Sequence, residues 1–96
     1  MSDAYWRMYD EALDRVAECS TVQAVIDALN DYYPPSSGVA FFPGGADRDL
    51  LGTLTDAGWH VVWAQANYYY ALRQPDGGAG FTFIEGDLLE GVERPL

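Results

Sequence analysis

Two hydrophobic periods divide this chain, and the division constrains its fold more than any single motif does. Between Ala4 and Cys19, Tyr5, Tyr9, Ala12, Leu13 and Val16 gather on one side of a helical wheel. Asp3, Arg7, Asp10, Glu11, Asp14, Arg15 and Glu18 occupy the other side. From Trp59 onward the helical period gives way to runs of β-formers, first Trp59–Ala64 and then Tyr68–Arg73. A chain that separates its helical and strand patterns in this way predicts an α+β fold, with helices gathered on one side of an antiparallel sheet.

The pattern predicts helices over 4–19, 21–32 and 47–57, the first two forming a hairpin. Ser20 and Gln23 have capping-box spacing at the start of the second helix. Pro34-Pro35 stops it, because the residue before a proline avoids α geometry. Residues 39–42 suggest a short edge strand flanked by prolines. Asp47 is positioned to cap the third helix and Gly58 to end it. A three-stranded antiparallel meander is then expected over 59–65, 68–74 and 80–85, with turns at Ala66-Asn67 and Pro75–Gly78. A two-residue turn at Ala66-Asn67 sets Trp63 opposite Tyr70, Val61 opposite Leu72 and His60 opposite Arg73. That register makes Trp59, Val61, Trp63, Tyr70 and Leu72 the helix-facing side. Residues 90–96 read as a polar, frayed tail. All 96 residues form one domain.

Charge sets the classes of partner. Fifteen acids face five bases, all arginine, for a net charge of −10. Such a chain opposes direct nucleic-acid binding, which needs basic groups to displace phosphate counterions. The same repulsion disfavours anionic membranes. An apolar fraction of 49% argues against disorder despite that charge. Cys19 is the single cysteine, which removes an internal disulfide. With no secretory pattern and no long apolar run, a cytoplasmic location is expected.

Few residues invite chemistry. His60 is the single histidine, and an arginine across the strand lowers its basicity. Cys19 ends a helix beside Glu18, a poor setting for a thiolate. Asp47-Arg48-Asp49 and Glu85-Gly86-Asp87 bring carboxylates together without a calcium-loop spacing. Gly44-Gly45 lacks the lysine of a phosphate loop. The sequence therefore predicts no catalytic residue, metal or cofactor. Binding residues are sought instead on the acidic face of the first helix, at Asp10, Asp14 and Glu18, and at Tyr69. In Tyr68-Tyr69-Tyr70 the middle side chain must point away from the core when its neighbours point in.

Ala40-Phe41-Phe42-Pro43-Gly44, Asp56-Ala57-Gly58-Trp59, the tyrosine run and Phe83-Ile84-Glu85-Gly86-Asp87 carry a resemblance over the C-terminal two-thirds. The chain resembles small uncharacterised proteins of actinobacteria and their phages. The resemblance implies an accessory protein and carries no activity. The expected function is non-enzymatic protein binding, accessory or inhibitory and open to nucleic-acid mimicry, toward a partner with a basic surface. A homodimer is compatible with this reading. The alternatives are a small enzyme or metal-dependent factor using His60 and nearby carboxylates, and a winged-helix-like regulator that dimerises.

Overall fold

The computed structural model of the chain describes residues 3–44, 47–65 and 68–94. It is an α+β fold of three helices and a five-stranded antiparallel sheet. The elements are α1 (Asp3–Ala17), α2 (Val22–Asn30), β1 (Ala40–Phe41), α3 (Leu50–Asp56), β2 (His60–Ala64), β3 (Tyr69–Arg73), β4 (Gly80–Ile84) and β5 (Asp87–Glu90). The sheet order is β1-β5-β4-β3-β2.

The apolar stripe read from α1 is the buried one, with Tyr9, Ala12, Leu13 and Val16 all in the core. α2 contributes Val22, Val25, Ile26, Ala28 and Leu29, and α3 contributes Leu50 and Leu54. Both caps fall beside the residues expected. Thr21, not Ser20, caps α2 by accepting from the Ala24 N–H at 3.1 Å. Gln23 reaches forward to Asp27 at 2.9 Å instead of back, so no capping box forms. A further open donor of the first turn, the Val22 N–H, is satisfied by Gln74 Oε1 at 2.8 Å, from 52 residues away. Asp49 caps α3 through the Gly52 N–H at 2.6 Å, and Asp47 does not. Gly58, at φ +98, takes the left-handed turn after α3.

One face of the sheet carries Tyr70, Leu72, Phe81, Phe83 and Leu88, which join the helices in a single core with Trp59, Ala40 and Phe42. Tyr70 stacks on Phe83 at 4.8 Å between centroids, and Trp59 meets Phe81 edge-on at 5.8 Å. Three expectations about the sheet need correction. The meander has a further strand, β5, which the acidic run after Ile84 concealed, and β1 pairs with it through Ala40↔Leu88 and Phe41↔Asp87. That closure leaves the winged-helix likeness as one of element order alone. Tyr68 precedes β3 and is 44% exposed, so it is not a core residue.

The third correction concerns Trp63. His60 pairs with Arg73 and Val61 with Leu72, as expected, but Trp63 pairs with Ala71 and Ala64 with Tyr70. The irregularity between Val61 and Trp63 leaves Val62 as an extra residue. One inserted residue turns every following side chain to the other face. Trp63 therefore lies on the outer face beside Ala71 and Thr82, and Val61 sits on the edge strand, 46% exposed. The turn expected at Ala66-Asn67 falls outside the described residues.

Residues 91–94 are not a frayed tail but a strap across that outer face. Gly91 N–H donates to the Gly80 carbonyl at 3.0 Å, and Thr82 Oγ1 donates to the Gly91 carbonyl at 2.8 Å. Trp63 Nε1 donates to the Val92 carbonyl at 3.0 Å, and the Arg94 guanidinium lies 5.0 Å from the indole centroid. Gly80 permits this approach, since a Cβ there would come within 2.4 Å of Val92 Cγ1. Trp63 is thereby buried to 9% exposure outside the helical core. No helix among the described residues is long and apolar enough to cross a membrane.

Candidate functional site

The helical period sets Asp10 and Asp14 one turn apart on the solvent face of α1. The segment before α3 alters what they present. Tyr9 Oη donates to the Arg48 carbonyl at 2.8 Å and pins that segment against α1. The Arg48 guanidinium then reaches 2.8 Å from Asp14 Oδ1 and 3.9 Å from Asp10 Oδ1, and it also donates to the Asp10 carbonyl. All three side chains remain solvent-exposed, so the pairs add little to stability. They do change the surface: the two carboxylates are bridged by a cation. Glu18 lies just beyond the last turn of α1, exposed, with its backbone N–H on the Arg15 carbonyl at 3.1 Å.

The acidity does not stop at α1. Asp47, Arg48, Asp49 and Asp56 line a shallow groove of about 320 Å³ with Ala17, Gly52 and Thr53. Carboxylates from α1 and from the α3 region thus share one side of the molecule, with Arg48 between them. Sequence reasoning read Asp47 as a cap and missed the neighbourhood of this segment with Asp10 and Asp14. Nothing local signals a contact 38 residues apart. Among the described residues, no group of three His, Cys, Asp or Glu side chains is placed to share a metal ion.

Tyr69 lies on the outer sheet face opposite Ile84 and is half-buried. Its hydroxyl donates to Glu85 Oε1 at 2.6 Å, and this bond raises the phenol above its ordinary value. The neighbouring Tyr68 is the more exposed ring. It belongs to a frame of three loops at one end of the sheet. Phe42 N–H donates to the Gly86 carbonyl at 2.8 Å, and Glu85 N–H donates to the Tyr68 carbonyl at 2.9 Å. Glu85 and Gly86 form the two-residue turn between β4 and β5, with φ of +51 and +101, the double left-handed geometry of a type I′ hairpin. Phe41, Pro43, Gly44, Tyr68, Glu85 and Gly86 line a groove of about 340 Å³ there.

The other reactive side chains are occupied or shielded. His60 is exposed opposite Arg73, and its Nε2 lies 3.1 Å from the Pro75 carbonyl. A carbonyl only accepts, so that nitrogen carries a proton. Among the described residues, no carboxylate is bonded to the ring to orient it as a base. Cys19 is half-buried, its thiol donates to the Arg15 carbonyl at 3.2 Å, and desolvation pushes its pKa up. Both features lower its reactivity. No protein-family model, curated protein or solved structure matches this chain.

Proposed function

We propose that this domain works by binding rather than catalysis, as an accessory or inhibitory protein that meets a basic surface on a partner protein. The observation that carries the reading is the concentration of exposed carboxylates along α1 and around the start of α3. Asp10 and Asp14 pair with Arg48, Asp47, Asp49 and Asp56 line the groove it shares, and Glu18 extends the acidic side past the end of α1, so carboxylates outnumber the arginines there. A predominantly acidic surface of this kind steers an oppositely charged partner and fixes its orientation more than it adds affinity. Carboxylates spread over two elements also suit mimicry of a phosphate-rich ligand.

A pulldown from the native host, read by mass spectrometry, supplies the partner. The decisive measurement is then an on-rate series in increasing salt for the wild type and for Asp10→Asn/Asp14→Asn. At low salt the double variant should associate about two- to fivefold more slowly, because two unit charges leave the steering field. The deficit should close as salt shortens the Debye length. Identical on-rates at every salt concentration would overturn the acidic face as the docking surface.

A further inference from the structure

We propose that the groove between Phe41 and Tyr68 is a receptor for one arginine side chain, presented by the basic segment of a partner protein. The inference rests on the basic-partner reading above and assigns it a specific contact point.

The groove is pre-built. Its two rings are each seated on a glycine. A Cβ at Gly44 would fall 2.5 Å from Tyr68 Cε1, and one at Gly86 would fall 2.5 Å from Phe41 Cε1. Substitution at either glycine would push a ring out of place, and Gly86 has a positive φ as well. The backbone bonds from Phe42 to Gly86 and from Glu85 to Tyr68 hold the three loops in fixed relation. Ordering cost on binding is correspondingly small.

The chemistry of the lining points to a planar cation. Among the described residues that line it, Glu85 brings the one carboxylate and there is no basic side chain. Glu85 Oε1 is held by the Tyr69 hydroxyl, and Oε2 has no partner among the described residues. Glu85 also carries the one positive φ found on a non-glycine residue among those described, a conformation that disfavours side chains with a Cβ. A hairpin of this type favours asparagine, aspartate or glycine at that position, so glutamate there is a departure that a ligand-facing carboxylate explains. Tyr68, at 44% exposure, offers an aromatic surface to solvent beside that charge. A guanidinium matches both features: it stacks on ring faces, sheds water more easily than an ammonium and pairs with carboxylate oxygen.

The test uses the full chain and a defined probe, N-acetyl-arginine N-methylamide, titrated by amide NMR. The neutral isostere, N-acetyl-citrulline N-methylamide, serves as control. Saturable shifts are expected at Phe41, Gly44, Tyr68, Glu85 and Gly86, with the citrulline probe about tenfold weaker. Glu85→Gln preserves an acceptor for the Tyr69 hydroxyl and should weaken arginine binding about tenfold while citrulline is unaffected. Tyr68→Leu should weaken it severalfold. Equal binding of the two probes, or arginine shifts that centre on Asp10 and Asp14 and survive Glu85→Gln, would overturn the proposal. Because the titration needs no partner, its failure is read separately from a failure of the salt-dependent on-rates.

Discussion

At the scale of single residues, Trp63 shows how burial can be achieved without a helix. Its ring is covered on the outer face by Val92 and Arg94 and flanked by Ala71, and its N–H is satisfied by the strap. Trp63→Ala should therefore cost about 3 kcal/mol, the low end for a large aromatic, because the strap can collapse into part of the space. Chemical denaturation of the two proteins measures the difference. A midpoint unchanged within error would mean that the strap does not hold the indole. Tyr33 is the opposite case. Its hydroxyl is buried with no hydrogen-bond partner among the described residues, and desolvation pushes its pKa up to about 12. That leaves a polar atom inside the core, a local cost, while the ring itself packs edge-on against Phe42 at 5.7 Å. Legibility at this scale is uneven. The burial of Tyr9, Leu13 and Val16 follows from spacing alone, whereas the fate of Trp63 depends on one inserted valine.

Among the elements, β5 depends most on its surroundings. Asp87 opens the strand and accepts from the Ser37 N–H at 3.1 Å and from the Ser37 hydroxyl, across 50 residues. These bonds hold the carboxylate below its ordinary value, the Ser37 hydroxyl being the largest cause. A folded-state pKa below the unfolded one means stability present above the unfolded value, near 3.8, and lost as pH falls through the folded value. Asp87→Asn should accordingly flatten the acid limb of a stability-versus-pH curve in the region below about pH 4. Parallel curves for variant and wild type would show that Ser37 and Asp87 are not linked in solution. The caps make a related point. Spacing located the start of α2 within one residue and that of α3 within three, yet chose Ser20 and Asp47 over Thr21 and Asp49. Which of two nearby cap-competent residues is used depends on where packing sets the first buried side chain, Val22 or Leu50.

For the whole molecule, charge dominates. Against the repulsion of a net charge of −10 stand three exposed ion-pair contacts among the described residues, one on Asp31 and two shared by Arg48. Repulsion spread over the acidic side should outweigh these local attractions, so screening should stabilise the fold. Raising sodium chloride from about 0.01 M to about 0.3 M, which shortens the screening length several-fold, should raise the thermal midpoint by a few degrees. A falling midpoint would show that the ion pairs matter more than the net charge. The proposed partner would act in the same direction as salt, by placing positive charge against the acidic side.

What the sequence determined by itself is what local contacts encode. The three helices, their buried faces, the glycine that ends α3 and the antiparallel β2–β3 and β3–β4 pairings follow from residues a few positions apart, where periodicity carries the information. The acidity is equally a property of composition. Tertiary structure alone decided the rest. Val62 makes an extra residue only because Leu72 and Ala71 fix the register beside it. The Asp87–Glu90 run becomes a strand because Phe81–Ile84 and Ala40–Phe41 pair with it. Arg48 reaches Asp10 and Asp14 because Tyr9 pins its backbone to α1. Phe41, Tyr68 and Glu85 line one groove because three loops far apart in sequence converge at one end of the sheet. Each of these depends on partners tens of residues away, and no local pattern encodes which distant backbone will supply the missing hydrogen bond or charge.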